Sequence, residues 1–252
     1  MYQSQCGDNA SGIQPDLFDN DNKDAGLAQN GIDLLDLDKL FELSVQAYSA
    51  VVNARMDDSL DKSCLDFYIQ KVLGAVQVFE AQSLSAPGRK KINVDGQLAL
   101  RAAADRAAAD RGDPLVRTVL DSAYRVGHEI HRLTGLLRFS PDKNGVWIAR
   151  CAPDNSILPA LAEHFTLRFG DDPWVIMDEK RGLALVRFKD ADPCLGPLAL
   201  FPFLSAPDIP DDEWEELWRS YHRIISIENR KNPALQLQLM PRRYWKYLPE
   251  IN

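Results

Sequence analysis

The chain has 252 residues, 45% of them hydrophobic and 26% charged, with a formal net charge of -8. These values fit a soluble globular protein with a sizeable core and exclude a collagen-like or fully disordered chain. No apolar run approaches the roughly 18 residues that a membrane-spanning helix needs, and the four scattered cysteines form no CxxC pair, so reduced thiols in a cytoplasmic protein are expected.

The charge is unevenly spread. Residues 1–40 hold eight Asp and two Lys, whereas residues 217–252 hold seven Lys or Arg and two Glu. A basic end on an acidic molecule is a local field that attracts an anion, unless the acidic head folds back on it. Residues 1–30 are rich in Asp, Asn, Gly and Gln without apolar period, and are expected to be a disordered acidic head lacking the basic start and apolar stretch of a secretory signal.

A helical region, 31–112, follows. Leu37, Leu40, Phe41, Val45, Tyr48, Val51 and Val52 recur at helical spacing, and Leu65, Tyr68, Ile69, Val72, Val76 and Phe79 do so again. "SLSAPGRKKINVDG" (83–96) reads as a connector. "RAAADRAAAD" (101–110) repeats five residues twice; Ala favours helix and each Arg precedes an Asp by four, so a solvated helix face is expected. Gly112 is placed to end it. Asp113 and Pro114 then suit the N-cap and first position of a new helix running to about Thr134. Its buried stripe is expected at Val119, Ala123, Val126, Ile130 and Leu133, with Arg125, His128 and Arg132 opposite and His131 nearer one edge.

Residues 113–252 read as an α+β domain. "GLLRF" and "VWIARC" read as period-2 strands around "SPDKNG", with its turn signal at Asn144-Gly145, and "WVIMD" and "LALVRF" read as another pair of strands across "EKRG". Between them lies a helix carrying Leu158, Leu161, Ala162, Phe165 and Phe169, capped by Asp154 or Ser156. Hairpin connections predict a small antiparallel sheet with packed helices. The proline-rich stretch 189–210 is expected to wander over the surface. Asp211, Asp212 and Glu213 load the first turn of a helix whose apolar face is Trp214, Leu217, Trp218, Tyr221 and Ile225, with Arg219 and Arg223 elsewhere. "NPALQLQLMP" reads as a short helix or extended piece leading into "MPRRYWKYLPE", where Tyr244 and Trp245 are expected to fix the terminus while Arg242, Arg243 and Lys246 point outward.

Two segments, "DPLVRTVLDSAYRVGHEIHRLTGLLRF" and "NPALQLQLMPRRYWKYLPE", resemble a bacterial family catalogued under DNA repair or DNA metabolism. Members stand beside a radical-SAM repair protein or are fused to X-type uracil-DNA glycosylases. The middle stretch "ILPALAEHFTLRFGDDPWVIMDEKRGLAL" is also similar, so the resemblance covers about residues 113–250. It implies a DNA-repair-associated accessory role and a radical-SAM partner.

His128 and His131 lack the HExxH spacing. At i,i+3 they could ligate a metal only with carboxylates from other elements; structural hydrogen bonding, with His131 beneath the sheet, or phosphate contact beside Arg125 and Arg132 is favoured over that. No glycine loop for phosphate and no GxSxG elbow is present, and neither metal nor cofactor is expected. The leading expectation is DNA binding through Arg125, His128, Arg132, Arg138, Arg219, Arg223, Arg242, Arg243, Tyr244, Trp245 and Lys246, since Arg and Lys supply most phosphate contacts and an exposed aromatic can stack a base. The alternatives are an enzyme acting on damaged nucleic acid and a protein–protein adaptor.

Overall fold

The computed structural model describes residues 34–85, 94–201 and 213–251. The expected acidic head, most of the connector, and Asp211 and Asp212 lie outside them. The described residues form an α+β protein, its N-terminal part helical, and fall into two compact units, 34–128 and 129–251.

In the first unit, α1 (Leu34–Leu43) and α2 (Val45–Arg55) divide at Ser44 what the apolar period suggests is one helix. The Ser44 hydroxyl accepts the Ala47 N–H at 3.1 Å, so it caps α2, and it donates to Asp105 at 2.6 Å. Asp61 caps α3 (Lys62–Leu84), and α4 (Val94–Ala108) packs along it. Leu37, Leu40, Val51, Leu65, Tyr68, Val72 and Ala104 meet in the core.

The alanine repeat is not the solvated face expected of it. Leu100, Ala103, Ala104 and Ala108 are buried, because small side chains let α4 approach α3 closely. Its carboxylates serve other helices: Asp105 takes the Ser44 hydroxyl, and Asp110 pairs with Lys71 at 2.7 Å. Asp113 caps α5 (Pro114–Leu136), accepting the Leu115 N–H at 2.8 Å, with Pro114 first as the sequence indicates. Asp57 is buried and accepts from Ser59, from Ser122 of α5 at 2.6 Å and from Arg125 at 2.7 Å. Burial pushes the Asp57 carboxyl up, but these three donors hold it well below the usual carboxylate range.

The second unit begins with the end of α5. A five-stranded sheet in the order β1 to β5 follows: β1 (Phe139–Pro141), β2 (Trp147–Cys151), β3 (Trp174–Asp178), β4 (Leu183–Arg187) and β5 (Cys194–Pro197). Gly145 (φ 78°) and Gly182 (φ 64°) close two hairpins in left-handed conformations that suit glycine, but the first strand is not "GLLRF" as expected: α5 runs on to Leu136 and only Phe139 of that stretch is in β1. The β2–β3 pair is parallel, so the sheet is mixed rather than wholly antiparallel. The reason is α6 (Leu158–Phe169), which returns the chain to the other end of the sheet before β3 starts. Val175 and Met177 face one cluster, with Ile148, Ala184, Val186 and Phe201. Trp174, the next side chain along, meets Phe165 of α6, the rings 6.3 Å apart.

Strand β5 lies within the stretch expected to wander. Its proline, Pro197, sits at the strand end of an edge, where a missing N–H costs little. Helix α6 also departs from expectation, since Ile157 precedes it and no side chain caps it. Helices α7 (Glu213–Ile225) and α8 (Pro233–Leu239) come next, then a 3₁₀ helix, Arg242–Tyr247. The expected apolar face of α7 is exposed: Leu217, Trp218, Tyr221 and Ile225 all keep large accessible areas.

Candidate functional site

Four candidates of the C-terminal unit, Arg138, Arg243, Tyr244 and Lys246, meet three carboxylates, each of which takes one cation and one aromatic N–H or O–H. The first is Glu129 on α5, only 2% exposed. Its Oε1 accepts the Tyr244 hydroxyl at 2.5 Å and the Asp154 N–H at 2.8 Å. Its Oε2 accepts the Asn155 N–H at 3.0 Å and the Asn155 amide at 2.6 Å. Arg243 lies 3.4 Å from Oε1 and 2.9 Å from the Asp154 carboxylate.

Burial pushes the Glu129 carboxyl up, yet the Tyr244 hydroxyl and the donors of the 154–155 loop bring it below its ordinary value. Burial, then Glu129 itself, hold the Tyr244 phenol above its usual range. Glu129 thus stays charged and Tyr244 neutral, and their hydrogen bond is charge-assisted.

The second carboxylate, Glu179 in the β3–β4 turn, accepts from Tyr247 at 2.7 Å and pairs with Lys246 at 3.1 Å. Burial, with Glu179 acting in the same direction, pushes the Tyr247 hydroxyl up to about 12. The third is Glu250, which pairs with Arg138 at 2.6 Å and accepts the Trp218 indole N–H at 2.9 Å. Arg138 also lies over the Trp218 ring, 5.1 Å from its centroid.

The 154–155 loop is held from its other side as well. Buried Asp178 accepts Arg181 at 2.8 Å, and Arg181 donates to the Pro153 and Asp154 carbonyls at 3.0 and 2.6 Å. Asp154, expected to cap α6, is instead part of this clamp.

The terminal motif is therefore a seat for the chain end. Tyr244 and Leu248 are buried, and Trp245 is half-buried with its indole N–H on the Met240 carbonyl at 2.8 Å. Arg242, Arg243 and Lys246 are all exposed, and Arg242 lies 5.8 Å from the Trp245 ring centroid with no carboxylate partner among the described residues. Arg243 and Lys246 are engaged by carboxylates, and Arg219 donates to the Pro249 carbonyl at 3.1 Å. Arg223 and Arg230 are exposed without a carboxylate partner among the described residues, and Arg132 is half-buried.

Of the remaining candidates, Arg125 and His128 belong to the first unit and His131 to the second. Arg125 is committed to Asp57. His128 is exposed, its ring 4.1 Å from that of Tyr124. His131 is exposed rather than packed beneath the sheet. Among the described residues no group of three or more His, Cys, Asp or Glu is placed to hold a metal ion, and no helix is long and apolar enough to cross a membrane.

Sequence reading missed Glu129 as the centre of the clamp. The signal was present: Ser122 and Glu129 stand seven residues apart on the inward side of α5, in line with Val119, Val126 and Leu133.

No match is found among curated proteins or among solved structures. A family model described as a domain of unknown function, DUF4130, matches residues 96–250, which is more than half of the chain and includes Glu129, Glu179, Glu250 and all the residues they hold. The chain belongs to this family.

Proposed function

We propose that the protein is a nucleic-acid-binding accessory factor of DNA repair or DNA metabolism. The supporting observation is what the clamp leaves over. Arg223, Arg230 and Arg242 are exposed and have no carboxylate partner among the described residues, in a stretch whose net charge is positive. Guanidinium groups left unpaired on an acidic molecule suit phosphate, which they bind by bidentate hydrogen bonds. The test is fluorescence anisotropy with labelled DNA across a salt series. Arg223, Arg230 and Arg242 changed together to Ala should flatten log affinity against log salt by roughly two to three units, at about 0.7–0.9 per neutralised phosphate. An unchanged slope, or no binding by the wild type, refutes this reading.

A second reading, docking onto an enzyme partner, is favoured by the apolar side of α7 and α8. Leu217 is 59% exposed, Ile224 78%, Leu235 48% and Leu239 56%, and exposed apolar surface of this extent marks interaction sites. The family resemblance directs attention to the radical-SAM protein as that partner. Co-purification from co-expressing cells, abolished by Leu217→Glu with Ile224→Glu, is the expected result.

A further inference from the structure

The first unit carries an aromatic pair that its own fold does not use. Tyr124 is 64% exposed, and its ring meets that of His128 one turn later, 4.1 Å between centroids at 57°. No hydrogen bond engages the Tyr124 hydroxyl among the described residues. Arg117 precedes Tyr124 by seven residues, two helical turns, so the two lie on the same side of α5. It is exposed and without a carboxylate partner among the described residues. Asp121, the acid between them, is neutralised by Arg111 at 2.8 Å. An exposed pair of rings and an uncommitted guanidinium therefore share one helix side on which the nearby negative charge is already paired.

We infer that Tyr124 and His128 form a stacking platform for an unpaired base, with Arg117 on the adjoining phosphate, so that the favoured ligand is single-stranded nucleic acid. The inference rests on the nucleic-acid-binding reading and names its substrate class. Bases within a duplex stack on one another and offer no free face to a side chain. An unpaired base offers its π-face, and ring stacking is indifferent to sequence. Arg117 adds the salt-dependent part of the affinity.

The experiment uses the full chain with a fluorescein-labelled oligothymidylate, alone and annealed to its complement. Tyr124→Ala should weaken single-strand binding about 5- to 150-fold and leave duplex binding unchanged, while Tyr124→Phe and Tyr124→Trp keep wild-type affinity. Arg117→Ala should flatten the single-strand salt slope by about 0.7. Far-UV circular dichroism checks that α5 persists in each variant. Unchanged single-strand affinity in Tyr124→Ala overturns the platform and leaves the C-terminal cation reading standing, as does an equal loss on single strand and duplex. Absence of binding to either probe by the wild type overturns both readings. A change in self-association with oligonucleotide binding intact assigns this helix side to protein contact and likewise overturns the platform.

Discussion

Tyr244→Phe isolates the clamp's central contact. It removes one hydroxyl, leaves the buried ring in place, and takes from Glu129 its shortest hydrogen bond and from Arg243 an acceptor at 3.0 Å. A hydrogen bond to a charged group is worth about 1.5–3 kcal/mol. Glu129 keeps the Asp154 and Asn155 N–H groups, the Asn155 amide and Arg243, so it stays ionised and the loss falls within that range rather than above it. The assay follows from where the tryptophans are. Trp147, Trp174, Trp214, Trp218 and Trp245 all lie beyond residue 128, so tryptophan emission reports the C-terminal unit alone. At a typical slope of about 2 kcal/mol per M urea, the fluorescence midpoint should fall by roughly 1 M. Arg242→Ala, an exposed change, should shift it by the equivalent of less than about 0.5 kcal/mol. A Tyr244→Phe midpoint indistinguishable from that of Arg242→Ala would refute the assignment of Glu129 as the anchor of the chain end.

Acid should release the same clamp. The Glu129 and Glu250 carboxyls titrate lower folded than free, so their stabilisation is fully present above the unfolded value of about 4.3 and is lost as pH falls through the folded values. Glu129→Gln should lower the fluorescence midpoint at neutral pH and make it fall less steeply between about pH 5 and 3; a slope equal to wild type would count against the linkage. In the first unit, Asp57→Ala strands the buried Ser122 hydroxyl and should cost about 1–3 kcal/mol by far-UV circular dichroism, with the tryptophan signal at low denaturant unaltered. Ala104→Leu forces extra volume between α4 and α3 and should cost about 1–3 kcal/mol, whereas a solvated alanine face would tolerate it.

Much of the fold was legible because its signals are local. The cap at Asp113, the turn glycines Gly145 and Gly182, and the apolar run of "WVIMD" act through neighbours within a few residues. What was misread depends on distant partners. The alanine repeat looks solvated until Leu65, Tyr68 and Val72 of α3 are brought against it. The parallel pairing of β2 with β3 is decided by the path of α6 between two hairpins, not by either hairpin. Strand β5 has too much Pro and Gly to look like a strand, and an edge position is what tolerates them.

The site shows the same limit more sharply. In "RRYWKY" every side chain is a cation or an aromatic, and sequence alone treats Arg242, Arg243 and Lys246 as equivalent. They differ only through carboxylates far away in the chain: Arg243 meets Glu129 across 114 residues and Lys246 meets Glu179 across 67, while Arg242 meets a ring three residues on. A basic motif is therefore a measure of charge available before folding, and folding subtracts from it. What can reach an external phosphate is the remainder, which here shifts from the densest part of the motif to Arg242, Arg223 and Arg230, and on α5 from Arg125, spent on Asp57, to Arg117 beside the Tyr124–His128 rings. Substitutions in the two groups should separate accordingly: changes at Arg243, Lys246 or Arg125 act first on stability, and changes at the uncommitted arginines act first on the salt dependence of binding.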